Sequence, residues 1–334
     1  MKNRMKTNRK IIAAAAVLFL IAVGTLFAFL TPYPAAWMVK KVFSMTHYVL
    51  PENYEALKNE VLIERDINYN SAYPNGVLDL ISPKTGRKDK VIFWVHGGGY
   101  VGDDKKKVEH YMVMLASKGY LVININYALA PKHCYPVQLK QIEEAWVFVK
   151  RYIKDEKVYF GGDSAGAQLA AQFVNLQTDE KYADALNENL KNIKIGKVVD
   201  KDRIGGVILF CGPYKLKELL RPPKDTMKLP FKQIGWAYFG TKDIEDRRLE
   251  LTDVIANATS SYPPAFITDG NTASFENQAK ELAQSLEKCG VYVKTAFYPK
   301  EEAVLTHEYQ FNMNTPYAQK TFNCLLDFIE RDKV

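Results

Sequence analysis

The chain has 334 residues, enough for one large α/β domain or two small ones, and its formal net charge is +7. Five of its 45 basic residues lie within residues 1–10, which leaves 40 basic and 38 acidic residues for Thr31–Val334. That near-neutral balance gives no reason to expect a nucleic-acid partner, and four cysteines without C-x-x-C spacing predict neither a zinc site nor a disulfide framework.

An apolar segment follows the basic tail at residues 1–10. Ile11–Leu30 is a run of twenty uncharged, mostly apolar residues. Twenty helical residues match the apolar thickness of a bilayer, whereas a cleaved signal peptide usually has a shorter apolar core. Tyr33 and Trp37 suit the aromatic belt at a membrane interface. We expect a retained single-pass anchor at 11–30, with the tail cytoplasmic and the rest extracytoplasmic; a signal peptide is the alternative.

The rest of the chain, 31–334, has no Gly/Ser-rich or Pro-rich linker and no internal repeat, which predicts one domain. Thr31–Glu60 mixes aromatic residues with helix formers and predicts short helices over the body, and Lys215–Glu250 predicts an irregular excursion from a sheet. The segments that predict strands are Val61–Asn68, Val77–Ser82, Val91–Val95, Tyr120–Tyr127, Val158–Phe160, Gly206–Phe210, Ala265–Asp269 and Val293–Tyr298.

Helical apolar spacing lies between these strands. It predicts helices at Val108–Lys118 and Pro136–Ile153, after Gly166, before Gly290, and from Pro316 onward with Thr315 as N-cap. Strands that alternate with helices predict a mostly parallel sheet with helices on both faces. Sites in such sheets lie at the carboxyl ends of the strands.

Gly162-x-Ser164-x-Gly166 lies between a predicted strand and a predicted helix. A serine on so sharp a turn needs small neighbours, because a Cβ at either glycine would collide with the adjacent strand or helix. The turn would expose the hydroxyl close to helix N-terminal N–H groups. The plainer alternative is a glycine-rich loop with an incidental serine.

A second glycine-rich loop, His96-Gly97-Gly98-Gly99, follows the buried strand Val91–Val95. A serine hydroxyl becomes an effective nucleophile only when a base takes its proton and donors stabilise the resulting oxyanion. The glycines would let backbone N–H groups approach a substrate oxygen. A phosphate loop is the alternative, but the Gly-Lys-Ser/Thr ending and the G-x-G-x-x-G spacing are missing.

Together these motifs resemble the hormone-sensitive-lipase-like branch of the α/β-hydrolases, which includes arylacetamide deacetylase-type esterases. The matching segments are His96–Tyr100, Tyr127–Pro131 with Pro136 following, Gly162–Gly166 and a late histidine. The resemblance runs from about Val91 to the C-terminus.

The resemblance implies an α/β-hydrolase fold with Ser164 as the nucleophile. It also implies that the N–H groups of Gly97, Gly98 and Ala165 form the oxyanion hole. A small helical cap should cover the site, and we place it at 31–60 and 215–250.

The base should be a histidine after the last strand. His47 lies in the cap, His96 opens the glycine loop, and His110 and His133 precede the nucleophile. The chain order serine, acid, histidine therefore leaves His307. A histidine in a surface loop is the alternative interpretation.

The acid departs from the family pattern. The family usually has Gly-x-x-Asp shortly after the strand, and that alignment places Ala273 where the acid should be. We predict Asp269, because it ends a strand, and keep Glu276 as the alternative. If neither reaches His307, the imidazole loses control of its tautomer and orientation.

The sequence thus predicts a membrane-anchored serine esterase, a lipase-like hydrolase of small-molecule or lipid esters that acts through an acyl-serine intermediate. We expect no metal or organic cofactor. The alternatives are a non-catalytic surface binding protein with an eroded triad, which Ala273 would fit, and a serine peptidase of the same fold. The sequence does not indicate the acyl group, the alcohol or the oligomeric state.

Overall fold

Eight strands form one sheet in the computed structural model, which describes residues 2–46, 48–221 and 228–331. His47 and residues 222–227 of the predicted cap therefore lie outside the described residues. The strands are β1 (Val61–Asn68), β2 (Val77–Pro83), β3 (Lys90–Val95), β4 (Leu121–Ile125), β5 (Lys157–Asp163), β6 (Ile204–Phe210), β7 (Ala265–Thr268) and β8 (Val293–Ala296). The helices are α1 (Lys2–Leu30), α2 (Tyr33–Met45), α3 (Tyr54–Asn59), α4 (Glu109–Ser117), α5 (Val137–Val149), α6 (Ala165–Thr178), α7 (Glu180–Asn189), α8 (Lys217–Leu220), α9 (Lys228–Phe239), α10 (Arg247–Leu251), α11 (Glu276–Lys288) and α12 (Pro316–Glu330).

The sheet has the strand order β1-β2-β4-β3-β5-β6-β7-β8. β2 pairs antiparallel with β1 and β4, and the pairs from β4 through β8 are parallel. β3 lies between β4 and β5, and its Val91–Val95 run is fully buried. A parallel sheet of this kind is covered on both faces, which explains why its strands are continuous apolar runs. The predicted mostly parallel α/β fold is confirmed.

Alternate side chains of β3 enter two separate cores. Phe93 packs with Trp146 of α5, their ring centroids 6.4 Å apart, on the face that α5, α6 and α11 cover. Ile92 and Trp94 pack on the opposite face, together with Phe322 of α12 and the buried side of α4. The apolar spacing of the predicted helices therefore faces the sheet, as expected.

The segment 215–250 leaves the sheet, as predicted, but it is helical rather than irregular, because it contains α8, α9 and the start of α10. In α9, Ala237 and Tyr238 are fully buried, but Gly235 and the surrounding aromatic residues obscure the helical pattern in the sequence. Helix α7 was not predicted either. It begins where the Asp179 carboxylate accepts from the Tyr182 N–H at 3.0 Å, which is an N-cap.

The N-terminal part consists of two helices that meet at a sharp bend. The angle between Ala15–Leu30 and Tyr33–Met45 is 86°. Within the described residues no single helix has the length and apolar character to cross a membrane, and only this bent pair has them when taken together. A transmembrane helix over 11–30 therefore stays a prediction. Helix α2 continues onto the body, where Ala36 packs with Val101 and Ala237.

Candidate active site

Ser164 occupies a strained turn between β5 and α6. Its φ is 49° and its ψ is −119°, a conformation that residues with a Cβ rarely adopt. A Cβ at Gly162 would lie 2.4 Å from the carbonyl carbon of Gly166, and one at Gly166 would lie 2.0 Å from the Val95 oxygen. The two glycines are therefore required by close packing of strand, turn and helix, as the sequence predicted.

His307 meets this serine from the loop between β8 and α12. Its Nε2 lies 3.0 Å from Ser164 Oγ, although the two residues are 143 positions apart in the chain. The ring of Phe275 lies 5.7 Å from the imidazole. Of the five histidines, the one that the chain order predicted is thus beside the serine.

Two neighbouring loops hold His307 in place. Asn271 follows β7, and its side chain accepts from the Leu305 N–H at 3.0 Å and donates to the Ala303 carbonyl at 2.8 Å. Gly270 permits the close approach, since a Cβ there would lie 2.3 Å from the Thr306 oxygen. The loop that carries the candidate acid is therefore joined to the loop that carries the candidate base.

Asp269 is connected to His307 through a hydroxyl group. Ser274 Oγ donates a short hydrogen bond to Asp269 Oδ1 and lies 2.7 Å from His307 Nδ1. Ala273, at the place where the family carries its acid, is exposed. Glu276 forms an ion pair with Lys280 at 2.8 Å on α11. The structure thus brings Asp269 toward the imidazole, while the role of Ser274 was missed by the sequence analysis.

Burial shifts the pKa values of both groups. It raises the pKa of Asp269 to about 7, against the opposing effect of the hydrogen bond from Ser274. It lowers the pKa of His307, although 29% of that side chain is exposed; the charge of Lys107 adds to this lowering and Glu308 opposes it. A neutral imidazole near pH 7 is the form that can accept a proton from a serine.

The glycine loop after β3 lies beside Ser164 because β3 and β5 are parallel neighbours, with Val95 opposite Gly162. Gly98 has a φ of 103°, and a Cβ there would lie 2.3 Å from the Gly102 oxygen. Ala165 is the first residue of α6, so its N–H has no acceptor within the helix. One predicted oxyanion donor, Gly98, thus lies in the loop next to the elbow, and the other, Ala165, directly follows Ser164.

The structure changes the role of Gly97, the third predicted donor. Its N–H donates to Asp163 Oδ2 at 2.8 Å and is therefore already engaged. Trp94 Nε1 donates to the other oxygen, Oδ1, at 2.8 Å. Burial and the nearby carboxyl of Glu308 hold the pKa of Asp163 well above its usual range. No local sequence pattern marks Asp163, because its partners come from another strand and another loop.

Apolar residues of the predicted cap surround the glycine loop. A Cβ at Gly99 would lie 3.4 Å from a ring carbon of Phe43 in α2 and 3.6 Å from Ile234 in α9. Phe231, also of α9, packs against Phe275 with ring centroids 5.7 Å apart. Segments from 31–60 and 215–250 therefore meet next to the site.

One group of side chains near the site has atoms of the kinds that bind metals. Ligand atoms of Cys211, Asp269 and His307 lie within 4.8 Å of one another. Burial and the charge of Asp269 hold the pKa of the Cys211 thiol well above its usual range, which opposes the thiolate that metal binding needs. Cys211 Sγ instead accepts from the Glu308 N–H at 3.3 Å. Hydrogen bonds to Ser274 and Glu308 account for the short distances between these ligand atoms, and no ion is needed to explain them.

Comparison with known proteins agrees with this fold. A family model described as the alpha/beta hydrolase fold matches residues 92–307. An acetyl esterase of Salmonella schwarzengrund (strain CVM19633) is 25% identical over 195 residues, which is 57% of this chain and 54% of the esterase. A kynurenine formamidase of Danio rerio is 24% identical over 235 residues, covering 68% of this chain and 70% of the formamidase. The match thus spans about half the length of the acetyl esterase.

Solved esterases share the fold over almost the whole chain. Esterase B of Lactobacillus rhamnosis (HN001) superposes with a TM-score of 0.69 at 20% identity, covering 89% of this chain and 95% of that one. An esterase from the bacterial hormone-sensitive lipase family has a TM-score of 0.60 at 17% identity, covering 90% and 97%. The chain therefore belongs to the α/β-hydrolases, in their hormone-sensitive-lipase-like esterase family.

Proposed function

We propose that this chain is a membrane-anchored serine esterase that cleaves carboxylic esters through an acyl-serine intermediate. The observation that carries the proposal is the 3.0 Å contact between His307 Nε2 and Ser164 Oγ on a strained turn. A nucleophile and a base within hydrogen-bonding distance, with the base oriented by a third group, form the arrangement that activates a serine.

The proposed reaction has two halves. Ser164 Oγ attacks the ester carbonyl while His307 Nε2 takes its proton, and the N–H groups of Gly98 and Ala165 stabilise the oxyanion. The imidazolium then gives its proton to the departing alcohol, which leaves an acyl group on Ser164. A water molecule, deprotonated by His307, attacks the acyl group, and His307 gives that proton to Ser164 Oγ as the acid leaves, which restores the free serine.

The surroundings of the site support an apolar acyl or aryl group on the substrate. Phe43, Phe231, Ile234 and Phe275 approach the glycine loop and His307. Apolar walls with a few placed polar groups are typical of sites for small apolar ligands. The relative named acetyl esterase supports a short acyl group.

The N-terminal helices support attachment to a membrane. From residue 15 to residue 30 the side chains of α1 are exposed, including Leu18 at 67% and Phe29 at 71%. Large apolar side chains in contact with water are unfavourable, so this surface should be covered. The five basic residues before residue 11 favour a cytoplasmic N-terminus, with the hydrolase domain on the other side of the membrane.

The test uses purified full-length protein in detergent and a p-nitrophenyl ester of a short acid. We expect a burst of nitrophenol equal to the enzyme concentration, followed by slower turnover where deacylation limits the rate. A fluorophosphonate should label wild-type protein and fail to label Ser164→Ala. Labelling of the Ala variant, or no turnover by a correctly folded wild type, would contradict the proposal and favour a binding protein.

Hydrolysis of formamides is a second candidate, because one relative is named kynurenine formamidase. The same serine and base could attack a formyl carbon, with an arylamine as the leaving group. Comparing kcat/KM for an aryl ester and for an N-formyl arylamine distinguishes the two activities. An amide value higher than the ester value would assign the chain to the second.

A further inference from the structure

The contact between Asp269 and His307 passes through the hydroxyl of Ser274. We propose that Ser274 is a positioning residue that transmits the negative charge of Asp269 to the imidazole and thereby selects its active tautomer. This inference rests on the proposed esterase function and adds to it a residue for which Ala273 and its neighbours gave no signal in the sequence. The geometry behind it is a continuous series of hydrogen-bonding contacts. Asp269 Oδ1 contacts Ser274 Oγ, which contacts His307 Nδ1, and His307 Nε2 contacts Ser164 Oγ.

A hydroxyl group has one proton to donate. An ionised Asp269 has none, so the Ser274 proton must point toward Oδ1. Ser274 Oγ can then only accept at its other contact, the 2.7 Å one with His307 Nδ1. The imidazole proton therefore sits on Nδ1, and Nε2 keeps the lone pair that faces Ser164 Oγ.

The same series of hydrogen bonds stabilises the charged imidazole during the reaction. When Nε2 takes the proton of Ser164, Nδ1 keeps its own proton and its hydrogen bond to Ser274 Oγ. The carboxylate oxygen of Asp269 lies within 4.8 Å of a ring nitrogen of His307, close enough to stabilise the imidazolium. No proton has to reach Asp269, so Ser274 acts by orientation and polarisation.

Protonation of Asp269 would reverse the donor and acceptor roles along this series of hydrogen bonds. A carboxylic acid at Asp269 can donate to Ser274 Oγ, and the Ser274 proton then turns toward His307 Nδ1. The imidazole proton is forced onto Nε2, where it points at Ser164 Oγ and blocks general-base catalysis. Since burial raises the pKa of Asp269 to about 7, activity should depend on this carboxyl near neutral pH.

Other ionisable groups face the hydrogen-bonded series of Asp269, Ser274 and His307 from the neighbouring elements. Those that face Asp269 follow β6, and those that face His307 come from its own loop and from the segment before α4. They are Cys211, Tyr214, Glu308 and Lys107. Burial holds the pKa values of Cys211 and Tyr214 well above their usual ranges, so both stay neutral at working pH. Of the two ionisable groups within the hydrogen-bonded series, Asp269 is the one that should titrate at about pH 7, and burial lowers the pKa of His307.

The experiment compares Ser274→Ala, Ser274→Thr and a matched control, Ser285→Ala. Ser285 lies on α11 and also loses a hydroxyl in the control, but its Oγ donates to the Ile255 carbonyl rather than contacting His307. We expect kcat with a neutral aryl ester to fall roughly 10- to 100-fold in Ser274→Ala, the usual effect of losing a hydrogen bond to a charged group, with KM little changed. Ser274→Thr keeps the hydroxyl and should retain most activity, as should Ser285→Ala.

The pH profile separates positioning from mere support of the fold. In the wild type the rise of kcat/KM should be centred at about pH 7, where Asp269 ionises. In Ser274→Ala it should follow His307 alone, whose pKa burial lowers, and so move to lower pH. A folded Ser274→Ala with unchanged kcat, or with reduced kcat and the wild-type midpoint, would overturn the relay. The proposed function would survive that result if Ser164→Ala remained inactive, and would fall with the relay if Ser164→Ala kept full activity.

Discussion

The carboxyl group of Asp163 accepts the Gly97 N–H at 2.8 Å, which ties the glycine loop to the residue directly before Ser164. Trp94 Nε1 donates to the same carboxyl group, and all these atoms are buried. One side chain therefore fixes the distance between the elbow on β5 and the loop after β3. The relationship also explains why Gly97 cannot serve as a free oxyanion donor in this arrangement.

The first prediction concerns Asp163→Asn. The amide keeps the shape of the side chain but has only one acceptor oxygen, so either the Gly97 or the Trp94 N–H loses its partner. We expect kcat to fall by roughly tenfold or more through displacement of the glycine loop. Asp246→Asn is a suitable control, because Asp246 bonds Arg248 at the start of α10. Equal kcat values for both variants would show that the hydrogen bonds of Asp163 do not position the glycine loop.

The second prediction distinguishes the two acids that the sequence left open. Asp269→Asn should lower kcat by about 10³- to 10⁴-fold, since an amide can no longer hold the imidazole in the required tautomer. Glu276→Gln should change kcat less than about tenfold, because Glu276 is paired with Lys280. Both are measured with saturating aryl ester. A collapse in Glu276→Gln with normal turnover in Asp269→Asn would move the role to Glu276.

The third prediction concerns stability. A carboxyl with a raised folded-state pKa binds its proton more tightly in the native than in the unfolded protein, so its contribution is present at low pH and is lost as the pH rises through about 7. The shift from a usual value near 4 corresponds to at most about 4 kcal/mol. The unfolding free energy should therefore fall more steeply between about pH 4 and pH 7 in the wild type than in Asp269→Asn. Parallel curves from urea titrations would contradict the raised pKa.

Local patterns were sufficient to predict most of the fold. The run Val91–Val95 predicted a buried strand because continuous apolar residues suit a strand with both faces covered, and β3 is one. Thr315 and Pro316 predicted the start of α12, and the Thr315 hydroxyl accepts from the Ala318 N–H. The individual helices within 215–250 were not predicted, because their sequence does not show a regular apolar stripe.

The sequence was sufficient to predict those site residues whose positions depend on backbone geometry. Ser164 needs the glycines at 162 and 166, and that requirement is visible in the sequence. Ser274 and Asp163 act through partners in distant loops, so no local pattern marks them. Ala273 at the expected acid position indicated only that the acid departs from the family pattern.

The last prediction concerns the membrane. Deleting residues 1–30 should give a protein that is soluble without detergent and as active as the full chain, because the exposed apolar side chains of α1 lie within that segment. A longer deletion through Met45 also removes α2, whose Ala36 packs with Val101 and Ala237 and whose Phe43 approaches Gly99. It should therefore lose activity and stability although it removes more apolar surface. Phase separation in a detergent that clouds on warming measures the anchor, and full-length protein found in the aqueous phase would contradict it. Equal activity of the two truncated proteins would show that α2 forms no part of the site, whatever α1 does in the membrane.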